Sequence, residues 1–244
     1  MGREREIKRR LQALLVHEDI DHVLRELASF SPQELIGSLV AGLYRTDERV
    51  KWHTVTVLGV VMNRLARQDR EAARIVMRRL LWSMNEESGG IGWGIPEAMG
   101  EIMAVTNWLA DEYTHLLVSY MREENYLELA ALQHGLMWGI GRLAMVRPEL
   151  LLHHDADGHM AMYLESADPV VAGLACRNFG ILRIREAAWQ IKPWCDSAHP
   201  VSLYEDRVLK PVTVGVLARQ ALSLLQQNCP LYPATIMTES PPGR

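Results

Sequence analysis

Phenylalanine occurs only twice in this chain of 244 residues, and cysteine only three times. Cys176, Cys195 and Cys229 form no CxxC pair. An odd count at wide spacing excludes a disulfide framework and reads as reduced thiols in a cytoplasmic protein. No segment approaches the roughly 18 uninterrupted apolar residues of a membrane span. The charged start, Gly2 to Arg10, lacks the apolar core of a signal peptide. Excess positive charge is missing too: the formal net charge is -4, which gives no general attraction to nucleic acid or anionic membrane. GxxxxGK[ST] and GxGxxG do not occur, so phosphate cradles of those kinds are not expected. Strand signals are few.

What the chain has is a repeat. Gly59, Gly100 and Gly141 stand 41 residues apart, and Gly180 follows 39 later, by subtraction of their numbers. Trp52, Trp93 and His134 each precede one of the first three glycines by seven residues. Val50, Ile91 and Leu132 precede them by nine. Asp47, Ser88 and Asp168 lie twelve before Gly59, Gly100 and Gly180, and all three suit a helix N-cap. A period near 40 with helical patterning is the signature of stacked helix pairs. Glycine inside a helix costs about 1 kcal/mol relative to alanine. Its recurrence at one register therefore points to close helix packing.

The elements follow from apolar spacing and caps. Residues 3 to 30 give one helix or a helix pair. Ser31-Pro32 opens the next, and Asp47 caps its partner, which runs through Leu65. A second unit begins near Arg70 and places its second helix near Ile95 to Val105. A third pairs a helix through Tyr113 and Tyr120 with a longer one from Tyr126 to Met145. A fourth pairs Leu150 to Glu165 with a helix capped by Asp168 and opened by Pro169. The fifth is damaged. Its first helix is Ile184 to Ile191 at most, with Pro193 ending it. Residues 193 to 210 show no helical period, and Val201 to Tyr204 read as a short extended segment covering the end of the stack. Pro211 then opens a last helix. Residues 1 to 236 read as one domain, and 237 to 244 as a disordered tail.

Helix pairs of about 40 residues, Asp at the turn, Pro and Val after it and small residues in the second helix resemble HEAT repeats. Asp168-Pro169-Val170-Val171-Ala172-Gly173-Leu174-Ala175 is the nearest match, similar to the short bacterial variety called lyase-type HEAT-like repeats. The resemblance covers roughly residues 30 to 228. It implies an all-α fold, a right-handed α-α superhelix of about five helix pairs whose concave face is lined by the second helices. It also implies binding far more often than catalysis. Residues 85 to 97 look like a segment of uncharacterised HEAT-like proteins of anaerobic bacteria, to which no activity attaches.

One segment breaks the rule. Between Gly89 and Pro96 four glycines and a proline fall within eight residues, where the repeat asks for a helix. It reads as a wide inter-helix turn, or as a binding loop held by a rigid frame. It sets Trp82 and Trp93 beside Glu86, Glu87, Glu97 and Glu101, with Glu97 and Glu101 on one helical face. Trp52, Trp93 and His134, with Trp138 one turn on, read either as packing between repeats or as an aromatic groove. His153-His154-Asp155-Ala156-Asp157-Gly158-His159 holds donors that suit Zn or Fe. Asp157-Gly158 reads as a turn, which makes a solvated loop the simpler account. The iron hydroxylases among HEAT-like proteins use repeated His-Glu pairs, and only His17-Glu18 matches here. Cys195, Asp196, Ser197 and His199 lie too close in sequence to make a nucleophile and base meet.

The candidate binding residues are therefore Trp52, Asn85, Glu86, Glu87, Trp93, Glu97, Glu101, His134 and Trp138. No catalytic residue, metal or cofactor is expected. The expected function is a protein- or peptide-binding scaffold using the concave face and the 85–96 loop. The alternative is a small-molecule or tetrapyrrole-handling protein by analogy with HEAT-like bilin lyases, with an apolar pocket near Trp93, Trp138 and His134. A membrane partner is not expected. Nucleic acid is disfavoured by net charge, although Arg64, Arg67, Arg70, Arg74, Arg78 and Arg79 cluster in sequence.

Overall fold

A computed structural model describes residues 2–85 and 92–227. The middle of the glycine-rich segment, with Glu86, Glu87, Ser88 and Ile91, lies outside the described residues, as do Cys229 and the tail.

Helices α1 (Gly2–Leu15) and α2 (Ile20–Leu27) form the entry pair. Then come α3 (Pro32–Gly42), α4 (Glu48–Gln68), α5 (Arg70–Met84), α6 (Ile95–Val105), α7 (Asn107–Ser119) and α8 (Ala130–Ala144). The short α9 (Pro148–His153) and α10 (Ala156–Met160) lead into α11 (Pro169–Leu182). After α12 (Ala188–Ile191), strands β1 (Pro200–Glu205) and β2 (Val208–Thr213) form an antiparallel hairpin, and α13 (Val214–Gln226) follows. The second helices stack in order, α4 on α6, α6 on α8, α8 on α11 and α11 on α13. The fold is an all-α superhelix of helix pairs with one continuous apolar core.

Local chemistry sets the boundaries. Asp47 caps α4 by accepting from the Val50 amide at 2.9 Å, and Asp168 caps α11 by accepting from Val170 at 2.8 Å. Ser31 and Glu34 complete a capping box on α3. Helix α6 occupies Ile95–Val105 as expected, but its N-cap is Gly94, with Pro96 in its first turn.

Four sequence expectations need correction. Leu150 to Glu165 is not one helix: the chain breaks at His154 and Asp155, where Asp155 takes φ 58°, and resumes as α10 and a 3-10 turn. Asp157 and Gly158 accordingly lie inside α10 rather than in a turn. The helix expected from Tyr126 starts at Ala130, since Glu123–Asn125 form a 3-10 turn. Pro211 does not open the last helix. It lies in β2, and Thr213 caps α13 by accepting from Val216.

The hairpin joins its strands through two residues, Asp206 and Arg207, both at positive φ (52° and 65°). That geometry matches the right-handed strand twist but favours Asn-Gly or Asp-Gly. An arginine there carries about 1 kcal/mol of strain. In such a hairpin the closing pair Glu205–Val208 is hydrogen-bonded and alternate pairs are not. Pro211, opposite Ser202, falls at a non-bonded pair, so its missing N–H removes nothing and blunts an exposed edge.

Glycine lets the stack close. A Cβ on Gly100 would run into the backbone of Gly139, and one on Gly139 would stand 2.6 Å from the Pro96 carbonyl oxygen. Helices α6 and α8 therefore touch backbone to backbone. Gly100→Ala is expected to destabilise the protein by about 2 kcal/mol, the overpacking cost outweighing the gain in helix propensity. Gly37→Ala, exposed in α3 with nothing near its missing Cβ, is expected to stabilise by about 0.5–1 kcal/mol. Urea unfolding of both variants checks the pair. Equal signs would contradict the packing account.

Candidate functional site

Helix α4 presents Lys51, Trp52 and Thr56, and α6 presents Glu97 and Glu101. Helix α8 presents His134, Trp138 and Arg142, and α11 presents Arg177. The shared register brings these side chains together on the face formed by the second helices. Onto that face comes β1.

The Tyr204 ring stacks on Trp52 with centroids 4.7 Å apart and planes 12° apart. Trp52 also meets Trp138 at 4.7 Å, tilted. The Tyr204 hydroxyl and the Thr56 hydroxyl share a hydrogen bond of 2.8 Å. Trp138 Nε1 donates to the Tyr204 carbonyl oxygen at 2.8 Å. Tyr204 belongs to a non-hydrogen-bonded hairpin pair, so this carbonyl points away from β2 and is free to accept. The next residue, Glu205, accepts from Arg177 at 2.7 Å. Burial raises the Glu205 carboxyl, but the Arg177 guanidinium and the Lys210 ammonium outweigh it and hold the pKa below the usual carboxylate range. At the tip Arg207 pairs with Asp21 of α2, and Ser202 donates to Glu48 at 3.4 Å. The hairpin thus reaches back from the last helix pair to the first, instead of covering the end of the stack.

Two indoles line this seat, and only one is satisfied. Trp52 Nε1 is buried with no hydrogen-bond partner among the described residues. A buried donor left unpaired costs about 1–3 kcal/mol.

Below the aromatic cluster a row of charged groups crosses four second helices. Lys51 Nζ lies 3.1 Å from Glu97 Oε1 and 4.7 Å from the centre of the Trp52 ring. Glu97 is 2% exposed, and its Oε2 has no hydrogen-bond partner among the described residues. Gly135 makes room for this carboxylate, since a Cβ there would overlap Oε2. Burial lifts the Glu97 pKa above its usual range, while Lys51 and, more weakly, His134 pull it down. His134 Nε2 lies 2.9 Å from Asp168 Oδ2. Burial raises Asp168, but the His134 contact and the Val170 and Val171 amides win, leaving it lowered.

Beside the hairpin tip a cavity of about 290 Å³ stays open. Glu101, Trp138, Arg142, Arg177, Glu205 and Arg207 line it. Arg142 Nε donates to Glu101 at 2.6 Å across α8 and α6. Past the Arg177–Glu205 pair a second, more apolar hollow of about 390 Å³ continues along Met145, Ile181, Leu217 and Leu224.

The structure joins Trp52, Trp138 and Glu97 in one cluster, with Glu101 at the adjoining cavity and His134 on the charged row. It does not join Asn85, which caps α5 and donates to the Tyr120 hydroxyl at 2.9 Å. Trp93 is half-buried in the turn before α6, and Trp82 is 69% exposed on α5. Trp93 therefore does not complete a ladder with Trp52 on the helices themselves. Trp138 meets Tyr204 at a ring-centroid distance of 6.3 Å and also lines the cavity beside the hairpin tip. Among the described residues no three of His, Cys, Asp and Glu converge to hold a metal ion. His154 does meet His115 of α7, with ring centroids 5.8 Å apart. Of the clustered arginines, Arg64 binds the Ala28 and Phe30 carbonyls, Arg74 pairs with Glu112 and Arg78 with Glu71. The carbonyl of Ser197 accepts from Gly215 at the start of α13, a structural role for that stretch.

Sequence reasoning missed Lys51, Thr56, Arg142, Arg177, Tyr204 and Glu205. The signal lay one column over. Three residues before the repeated glycines stand Thr56, Glu97, Trp138 and Arg177, and one after them Val60, Glu101, Arg142 and Ile181.

The sequence matches no protein-family model and no curated protein. Among solved structures it is similar to a crystallised engineered protein, with a TM-score of 0.51 and 15% identity over 90% of this chain and 96% of that one. Two designed armadillo repeat proteins, one in complex with the peptide (KR)4, each give a TM-score of 0.49 and 17% identity over 90% of this chain and 99% of theirs. The likeness is one of fold alone, and the solenoid of helix pairs is read from the stacking of the second helices. Among the described residues no helix is long and apolar enough to cross a membrane.

The raised pKa of Glu97 has a consequence for stability. A carboxyl whose pKa is higher folded than unfolded favours folding while pH lies below its unfolded value, and that contribution is lost as pH rises through the folded value. Glu97→Gln removes the titration. The melting temperature of the variant relative to wild type is expected to rise from about pH 4 to about pH 8. A difference that is flat or falls with pH contradicts the burial argument.

Proposed function

We propose that this protein is a non-enzymatic scaffold of HEAT-like type that holds an extended polypeptide segment against its second-helix, concave face. One observation carries the reading. The face already holds an extended strand through side chains from three of four successive second helices: Thr56 and Trp52 of α4, Trp138 of α8 and Arg177 of α11. The indole bond to a main-chain carbonyl binds backbone, and stacking and the ion pair bind side chains. That division suits an extended peptide. The hollows beyond the hairpin, about 290 and 390 Å³, offer the face room for a second segment.

On this reading residues 1–236 act as one cytoplasmic domain, and the glycine-rich loop 85–96 is a second, lesser contact bearing the half-buried Trp93. No cofactor takes part.

Linear peptides selected by phage display on the wild-type protein test it. Arg142→Ala and Met145→Asp, in the hollows, are expected to weaken selected peptides by about tenfold or more, or ~1.4 kcal/mol. Ile75→Ser, on an exposed part of α5 outside both hollows, is expected to leave them unchanged. If selection enriches nothing, or the hollow variants bind as wild type does, the reading is lost.

A further inference from the structure

We infer that the β1–β2 hairpin is a resident strap. It occupies the seat of a partner segment that carries an aromatic residue followed by an acidic one in extended conformation. The inference rests on the scaffold reading and names both the partner's chemistry and the regulation of the seat.

The hairpin supplies the template. Tyr204 and Glu205 meet Trp52, Thr56, Trp138 and Arg177, so the seat reads ring, hydroxyl, carbonyl and carboxylate in that order. Charge complementarity supports the acidic position, because Arg177 is the cation that receives Glu205, and its side chain is nearly buried.

Yet the hairpin is an incomplete occupant. It satisfies the Trp138 indole and leaves the neighbouring Trp52 indole, equally buried, with no acceptor. Its turn holds two non-glycine residues at positive φ. The tip is tied to the first helix pair by Arg207–Asp21, a pair about half exposed on both sides. Exposed pairs of this kind hold weakly and are screened by salt. Strand β2 has only partly buried or exposed residues along its length. A partner offering carbonyls to both indoles, without the strained turn, outcompetes this strap.

The hairpin buries Val201, Leu203 and Tyr204 of β1 in the core, yet it can be excised as a unit. Its ends meet where the Val214 amide donates to the His199 carbonyl at 3.0 Å, so a short linker spans them. Residues 200–213 are replaced by Gly-Ser-Gly in the otherwise full chain. The probe is a labelled peptide, acetyl-Pro-Val-Ser-Leu-Tyr-Glu-amide, the sequence of β1. Fluorescence anisotropy is expected to show the excised chain binding it at least about tenfold more tightly than wild type. The same peptide with Ala for Tyr is expected to lose that gain, and Gln for Glu to lose much of it. A second measurement needs no variant. Hydrogen exchange in the wild type is expected to show β1–β2 amides opening about 100-fold or more faster than those of α6 and α8.

A folded excised chain that ignores the β1 peptide but binds phage-selected peptides overturns the strap and leaves the scaffold standing. If it binds neither, both fall. Protection of the hairpin equal to that of α6 and α8, or loss of folding on excision, shows an integral core element and overturns the strap.

Discussion

Backbone-to-backbone contact between α6 and α8 is the constraint on which the rest depends. Gly100 faces Gly139 with no side chain between them, and Gly180 faces the Cα of Ala221 in the same manner between α11 and α13. Close approach brings the polar columns of neighbouring helices within bonding distance. Glu101 and Arg142 lie on adjacent second helices, as do His134 and Asp168. Wider spacing would leave each of these charges to water. The glycines lower helix propensity, and the packing they permit repays it.

The same closeness explains the buried Glu97. Its carboxylate sits where a side chain on Gly135 would otherwise be, and Lys51 reaches it. Removing two charges from water is costly, and one good contact with an unpaired Oε2 does not offset that fully. The ion pair is weak evidence for stability, and its placement beside Trp52 ties it to the aromatic seat above.

The seat is made by elements far apart in the chain. Tyr204 lies 148 residues from Thr56, and Arg207 lies 186 from Asp21. A solenoid ordinarily has contacts only between neighbouring repeats. Here the hairpin adds a tie from the last helix pair to the first across the second-helix face. It turns an open surface into a filled seat flanked by two hollows. The proposed scaffold function then turns on how firmly that tie holds.

Much of this was legible in the sequence, and the reason is local. Helix caps at Ser31, Asp47 and Asp168 follow from side chains acting on nearby amides, and the start of α6 from Pro96 in its first turn. The repeated glycines announced close packing, because a glycine inside a helix needs a neighbour to justify it. Trp52 was found through the same register, Trp138 as the residue one turn after His134, and Glu97 through its place beside the glycine-rich segment. The break at Asp155 was not visible, since a non-glycine residue at positive φ leaves no pattern. Val201 to Tyr204 read as extended, but their pairing with β2 was not visible, because the Asp206-Arg207 turn lacks the glycine that would signal a hairpin. Tertiary structure alone decided that Tyr204 lies on Trp52 and that Arg177 meets Glu205. Only the curvature of the whole stack sets the distance between its first and last helix pairs, and no local pattern in the chain encodes that distance.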